Sequence, residues 1–286
     1  MLGFFIREIM KRILAIIMAL TLCFSLFALA GCSKNETTDN GSSTDKATEV
    51  ANTESDLDYV KANGKIVVGI TDFAPMDYQE DGKWIGFDAD MATKFAETLG
   101  VDVEFIEIEW DNKVFELDSK AIDCVWNGMT LDDQVKAAMD CSQAYCNNAQ
   151  IVVVPVDVAD SYKTEDSIKD LKYAVEASSA GKKIAEANGY SFTEVQSQAD
   201  ALMEVASGTS EAAIIDSLMA AAMVGEGTGY ENLMYTVPLT TEEYGVGFRK
   251  GSDIVEKLNA FFEQCKTDGT LEEIAEKYGV QAAVIK

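Results

Sequence analysis

Asp216 ends the apolar run "AAII" and stands at the mouth of a helical stretch that begins at Ser217. A carboxylate in that place can receive an ammonium through charge-assisted hydrogen bonds. Other strand ends carry a matching set. Phe73 follows "KIVVGI" within "TDFAP", and Trp110 follows "VEFIEIE". Two aromatic faces can sandwich an apolar or cationic body. Gly128, Met129 and Thr130 follow "DCVW", and Ser179 and Ala180 follow "YAVE". Turns that open helices present free N–H groups suited to a carboxylate. An amine at one end and an acid at the other describe an amino acid.

Each member also has a plainer reading. Phe73 and Trp110 can be core or rim aromatics, and Asp216 can simply cap its helix. Thr130, with Asp133 three residues on, forms a T-x-x-D capping signature. Trp126 and Asn127 either adjust specificity or, in the case of Trp126, fill the core. The case for a site is the coincidence of these groups on one edge, because ligands of open α/β sheets sit beyond the carboxyl ends of the strands.

The elements that position them alternate from residue 56 onward. "KIVVGI" (65–70), "VDVEFIEIE" (101–109) and "DCVW" (123–126) read as strands. Residues 88–100 read as a helix, with Met91, Phe95 and Leu99 on one face and Gly100 as its stop. A second series follows: the strand "KYAVEA" with a helix after Ser179, a helix around Ala201 to Val205, and "EAAIIDS" with the helix behind it. The strand "YGVGF" (244–248) and two helices over 252–267 and 270–278 close the chain. The runs at 149–158 and 232–239 are extended, apolar and interrupted by Pro155 and Pro238. This pattern predicts an α/β fold with mainly parallel sheets, in two lobes joined by two crossings. The expected boundaries are 56–151 for the first part of lobe one, 152–237 for lobe two and 238–286 for the return to lobe one.

Composition removes several chemistries. The chain has 286 residues and a net charge of −26, a surface that repels phosphate backbones and argues against nucleic-acid binding. It contains no histidine, so Ser-His and Cys-His nucleophile pairs and His-ligated metals are excluded. Arginine occurs only as Arg7, Arg12 and Arg249. No catalytic group, metal or cofactor is expected.

The N-terminus carries Arg7, Lys11 and Arg12, then an apolar run from Ile13 to Ala30, and closes on "LAGC" at Cys32. A basic region, an apolar region and small residues before a cut site form a secretory signal over 1–31; a retained membrane span is the alternative. The ending resembles the lipobox of bacterial lipoproteins, which implies diacylation of Cys32. Two acyl chains hold a protein at a membrane surface. Residues 33–55 are polar, without aromatics or apolar period, and read with Cys32 as a flexible tether. Among the remaining cysteines, Cys124 and Cys265 read as buried thiols. Cys141 and Cys146 are close enough to bridge, and export permits it.

From about Gly64 to Gly279 the chain resembles the family-3 solute-binding proteins of polar amino-acid ABC importers. The motifs "GKIVVGITDFAP", "WIGFDADMA", "WDNKVFEL", "IDCVWNGMT", "SIKDLKYAVEASSA", "AAIIDSLMAA", "EEYGVGFRKGS" and "KTDGTLEEIAEKYG" stand in the family's order. The resemblance implies a periplasmic-binding-protein-like fold: two α/β lobes, a ligand cleft between them and a two-strand hinge near 151–157 and 236–241. It implies Phe73 and Trp110 against the ligand's side chain, Gly128 and Thr130 at its α-carboxylate, Ser179 and Ala180 in the lobe-two turn, and Asp216 on its α-amino group. It also implies a monomeric, non-enzymatic lipoprotein at the outer face of the cytoplasmic membrane, or in the periplasm, that hands its ligand to a permease. A binding protein for another small amine, a sensor and a dehydratase on the same fold are the alternatives.

Three positions depart from the family's pattern. Val135 stands where an arginine commonly pairs with the α-carboxylate, Ser178 replaces a usual glycine, and Ile70 replaces an aspartate. Three substitutes for the arginine are open: the helix start with Thr130, a lysine such as Lys136, or a ligand without a conventional carboxylate. The expected one is the helix start with Thr130.

Overall fold

A computed structural model describes residues 55–286. The signal segment, Cys32 and all but the last residue of the tether lie outside the described residues.

The first stretch runs α1 (Asp56–Asn63), β1 (Lys65–Ile70), the hairpin β2 (Tyr78–Glu80) and β3 (Lys83–Ile85), α2 (Phe87–Leu99), β4 (Asp102–Glu107), α3 (Lys113–Asp118), β5 (Cys124–Thr130), α4 (Asp133–Ala138), β6 (Asp140–Cys141) and β7 (Cys146–Asn148). The middle stretch holds β8 (Gln150–Pro155), β9 (Lys172–Glu176), α5 (Ala180–Asn188), β10 (Ser191–Val195), α6 (Gln198–Ala206), β11 (Ala212–Asp216), α7 (Ser217–Met223) and β12 (Leu233–Pro238). The last stretch is β13 (Glu242–Phe248), α8 (Ile254–Asp268) and α9 (Thr270–Lys277).

Two sheets result. The first has the order β4-β1-β5-β13-β6, with β7 also on β13; the second has the order β10-β9-β11-β8-β12. The βα units pair in parallel, β1 with β4 and β5, β9 with β10 and β11, while β13 and β8 run antiparallel to their neighbours. The molecule is therefore a two-lobed α/β protein. The chain leaves the first sheet at Asn148, which pairs with Glu242, and enters the second at Gln150, which pairs with Asp216. It returns through residues 239–241, between Pro238 and Glu242. The two crossings lie side by side, as the backbone amide of Gln150 donates to the Thr240 hydroxyl oxygen at 3.0 Å.

Helix α2 shows how local sequence makes these elements. Phe87, Met91 and Phe95 fall on its buried face, and Gly100, with φ of +74°, ends it in the left-handed conformation that glycine adopts without penalty. Trp126 is 1% exposed and packs among Phe95, Tyr145 and Phe262, so it is a core residue of the first lobe. Val152, Val154, Tyr173 and Ile214 centre a separate cluster in the second.

Arg249, the only arginine after residue 31, does not line the cleft and is engaged in structural bonds. Its Nε donates to both carboxylate oxygens of Asp56 at 3.0 Å, its Nη2 to Asp123 at 3.0 Å, and its Nη1 to the carbonyls of Leu117 and Ile122. It staples α1 to the end of β13.

Cys141 and Cys146 are both free thiols, as are Cys124 and Cys265. Cys141 pairs with Gly247 and Cys146 with Tyr244 along the same strand, so the two lie at separate rungs of β13.

Candidate functional site

Phe73, Trp110, Gly128, Met129, Thr130, Ser179, Ala180 and Asp216 all line one cleft between the sheets. Lys113, Asp132, Val135, Glu176, Lys183 and Gln198 line it too, and none of these was singled out from sequence as a ligand contact.

Asp216 precedes α7 without capping it, since its side chain accepts no hydrogen bond from the helix backbone. The carboxylate is 5% exposed and surrounded by neutral donors. Asn148 Nδ2, Gln150 Nε2 at 2.8 Å and the Tyr244 hydroxyl at 2.7 Å donate to Oδ1, and Gln198 Nε2 donates to Oδ2. Gln198 also accepts from the Asp216 amide at 2.8 Å, which fixes its own orientation. Burial, and next the nearby charge of Glu242, push the Asp216 carboxyl well above its ordinary range. Such a group is short of a positive partner.

Glu242 is the first residue of β13, where the returning crossing ends. The amides of Asn148 and Gln150 donate to its Oε1 at 2.6 and 2.8 Å, so each bridges the two carboxylates. Thr130 Oγ1 also donates to Glu242 at 3.0 Å. The strand ends beside the crossings, Asn148, Gln150 and Glu242, thus supply three side chains of the acid cluster. Sequence reasoning missed them because it read 149–158 and 232–239 as apolar connectors and gave the polar residues at their ends no role.

The start of α4 corrects an expectation. Thr130 is not the helix cap: it pairs with Tyr244 as the last residue of β5. The cap is Asp132, whose Oδ1 accepts from the Val135 amide at 2.8 Å. Its Oδ2 pairs with Lys183 from the opposite lobe, an ion pair that crosses the cleft. Burial acts upward on Asp132, but the Lys183 bond and the backbone amides outweigh it and hold the carboxyl below its ordinary value.

Gly128 has φ of +54°, and its amide donates to Asp88 Oδ2 at 2.7 Å, which also accepts the Tyr145 hydroxyl at 2.7 Å. A Cβ at Gly128 would lie 2.4 Å from Phe73 Cε1 and 3.1 Å from Tyr244 Cε2. The glycine lets the Phe73 ring pack edge-on against Tyr244, with centroids 6.4 Å apart. Met129 is fully buried in the apolar cluster that includes Val135. Asn127 is tied down by Thr71 and by Asp77 at 2.7 Å.

From the second lobe, Ser179 caps α5 by accepting from the Lys182 amide at 3.1 Å, and Ala180 is the helix's first residue. Ser178, where a glycine is usual, has φ of +57°. Glu176, at the end of β9, is 4% exposed; burial, and next the charge of Asp216, push it up to about 8. Trp110 heads a short 3-10 turn, and Lys113 sits over its ring at 4.4 Å from the centroid. Among the described residues no group of three or more His, Cys, Asp or Glu side chains forms a metal-holding cluster.

The chain matches the bacterial extracellular solute-binding proteins, family 3, over residues 66–281, and it belongs to that family. It is 29% identical over 227 residues to the L-cystine-binding protein TcyJ of Escherichia coli K12, a match covering 78% of this chain and 85% of that one. It is 28% identical over 247 residues to a glutamine-binding protein of Geobacillus stearothermophilus, covering 82% and 92%. The structure of an ABC uptake transporter substrate-binding protein from Streptococcus pneumoniae with bound histidine superposes with a TM-score of 0.73 at 28% identity, covering 82% of this chain and all of that one. These relatives are named as solute-binding proteins, and the chain is a binding protein and not an enzyme. The family is extracellular, and no helix among the described residues is long and apolar enough to cross a membrane.

Proposed function

We propose that this protein captures an amino acid in the cleft between its lobes and presents it, closed in, to the permease of an ABC importer. The observation that supports the reading most strongly is Asp216: a buried carboxylate in the cleft wall, surrounded by neutral donors and not engaged by its helix. Its partner is the ligand's ammonium. Phe73 and Trp110 flank the side chain, with Gly128, Met129 and Thr130 on the first-lobe wall and Ser179 and Ala180 at the start of α5. A ligand touching both walls shifts the open–closed equilibrium by its extra contacts in the closed form. The side-by-side crossings near 151–157 and 236–241 are the hinge.

In the same reading residues 1–31 direct export, Cys32 carries the lipid that holds the protein at the membrane, and the chain acts as a monomer on its tether. Relatives whose names specify cystine, arginine, glutamine and histidine support an amino-acid ligand without choosing its side chain. Replacing Asp216 with alanine tests the site. Loss of amino-acid binding, measured by calorimetry, is the expected result; unchanged affinity removes Asp216 from it.

A further inference from the structure

Lys113 is 7% exposed and lines the cleft. Among the described residues it makes one hydrogen bond, to the Trp110 carbonyl at 2.9 Å, and lies over the Trp110 ring, so two of its three donors have no protein acceptor. Among the described residues no carboxylate oxygen lies within the 4.0 Å that makes an ion pair with it. A buried cation in that condition costs stability unless an anion meets it. Burial, then the neighbouring charge of Lys183, lower it to about 8, with Glu176, Asp132 and Asp111 acting upward, so at neutral pH it still carries its proton.

The other candidates for an acid's partner are already engaged. Thr130 donates its hydroxyl to Glu242. The start of α4 is filled by the carboxylate of Asp132, and α4 is only six residues long. Lys183 is paired with that same carboxylate. Lys136 is exposed and lies outside the cleft wall. Val135, in the wall beside Lys113, brings no charge.

Resting on the reading of the cleft as an amino-acid site, we propose that Lys113 is the cation that receives the ligand's carboxylate, with the start of α5 opposite it. The ligand class is then a free α-amino acid, with an ionised acid, and not a simple amine or an amino-acid amide.

The test is calorimetric titration of the purified chain and of Lys113→Met and Lys113→Arg. The probes are the twenty standard L-amino acids and L-cystine, and the carboxamide of whichever binds most tightly. The wild-type chain is expected to bind the acid roughly 10- to 100-fold more tightly than its amide. Lys113→Met is expected to lose that factor for the acid and bind acid and amide alike, while Lys113→Arg keeps the preference. Because a buried unpaired cation is removed, the ligand-free melting midpoint of Lys113→Met should not fall, which separates lost binding from lost folding. Wild-type binding together with an unchanged acid preference in Lys113→Met overturns the Lys113 assignment alone. A wild-type chain that binds none of the probes overturns the amino-acid reading beneath it as well.

Discussion

Asp216 and Glu176 carry the clearest pH consequence in the molecule. Both carboxyls sit above their ordinary values because burial disfavours their charge. The folded, ligand-free chain therefore binds more protons than the unfolded chain between about pH 4 and pH 8, and these groups contribute stability that is lost as pH rises through that window. A bound ammonium reverses the effect by favouring the charged form of Asp216. The ligand-induced rise in melting midpoint should grow from pH 6 to pH 8, read by thermal scans at fixed ligand excess; a shift independent of pH would exclude Asp216 as the ammonium's partner. Gly128 makes a second case. Gly128→Ala adds a methyl within contact of the Phe73 ring at a left-handed φ, and a loss of about 1–3 kcal/mol in urea unfolding is expected. Ser178→Gly acts in the opposite direction, relieving a left-handed serine and raising stability by about 0.5–1 kcal/mol in the same assay.

At the level of elements, strand ends were legible in the sequence because apolar runs of fixed period stop where the pocket begins. All eight residues read as ligand contacts reach one cleft for that reason. The cap of α4 was not legible. "T-x-x-D" and "D-x-x-V" are both plausible starts, and what decides between them is the pairing of Thr130 with Tyr244, a contact 114 residues away in sequence. β10 went unread because "SFTEV" alternates weakly and stands at the sheet's edge, mostly exposed. Lys113 was passed over because Val114 and Leu117 carry the apolar face of its helix, and a lysine among them looks like surface. Arg249 binds elements that composition alone could not connect. Arg249→Met leaves Asp56 and Asp123 without their cation and should cost about 3–5 kcal/mol, seen as a lower urea midpoint at unchanged slope. A midpoint within error of wild type would show that the staple contributes nothing.

Across the whole molecule, the two lobes meet through the crossings and through the Asp132–Lys183 pair, and in the proposed reading a ligand that touches both walls favours closure. The two side chains are 32% and 27% exposed, so the pair's contribution is modest and sensitive to salt. Lys183→Met should weaken amino-acid affinity only several-fold, with the difference shrinking at high salt. The polar residues beside the crossings, Asn148, Gln150 and Glu242, became visible only once both crossings were placed next to Asp216. Sequence period shows which strands exist but not which polar side chains the hinge brings together.

The most direct measurement is a thermal-shift screen of the purified chain against the twenty amino acids, L-cystine and a few simple amines. A ligand that binds only the folded state at ~100-fold excess over its Kd stabilises by about 2.7 kcal/mol. One or a few amino acids should raise the midpoint clearly, and Asp216→Ala should abolish the rise. A chain whose midpoint moves with none of them, or moves equally in Asp216→Ala, would contradict the assignment of this cleft to an amino acid.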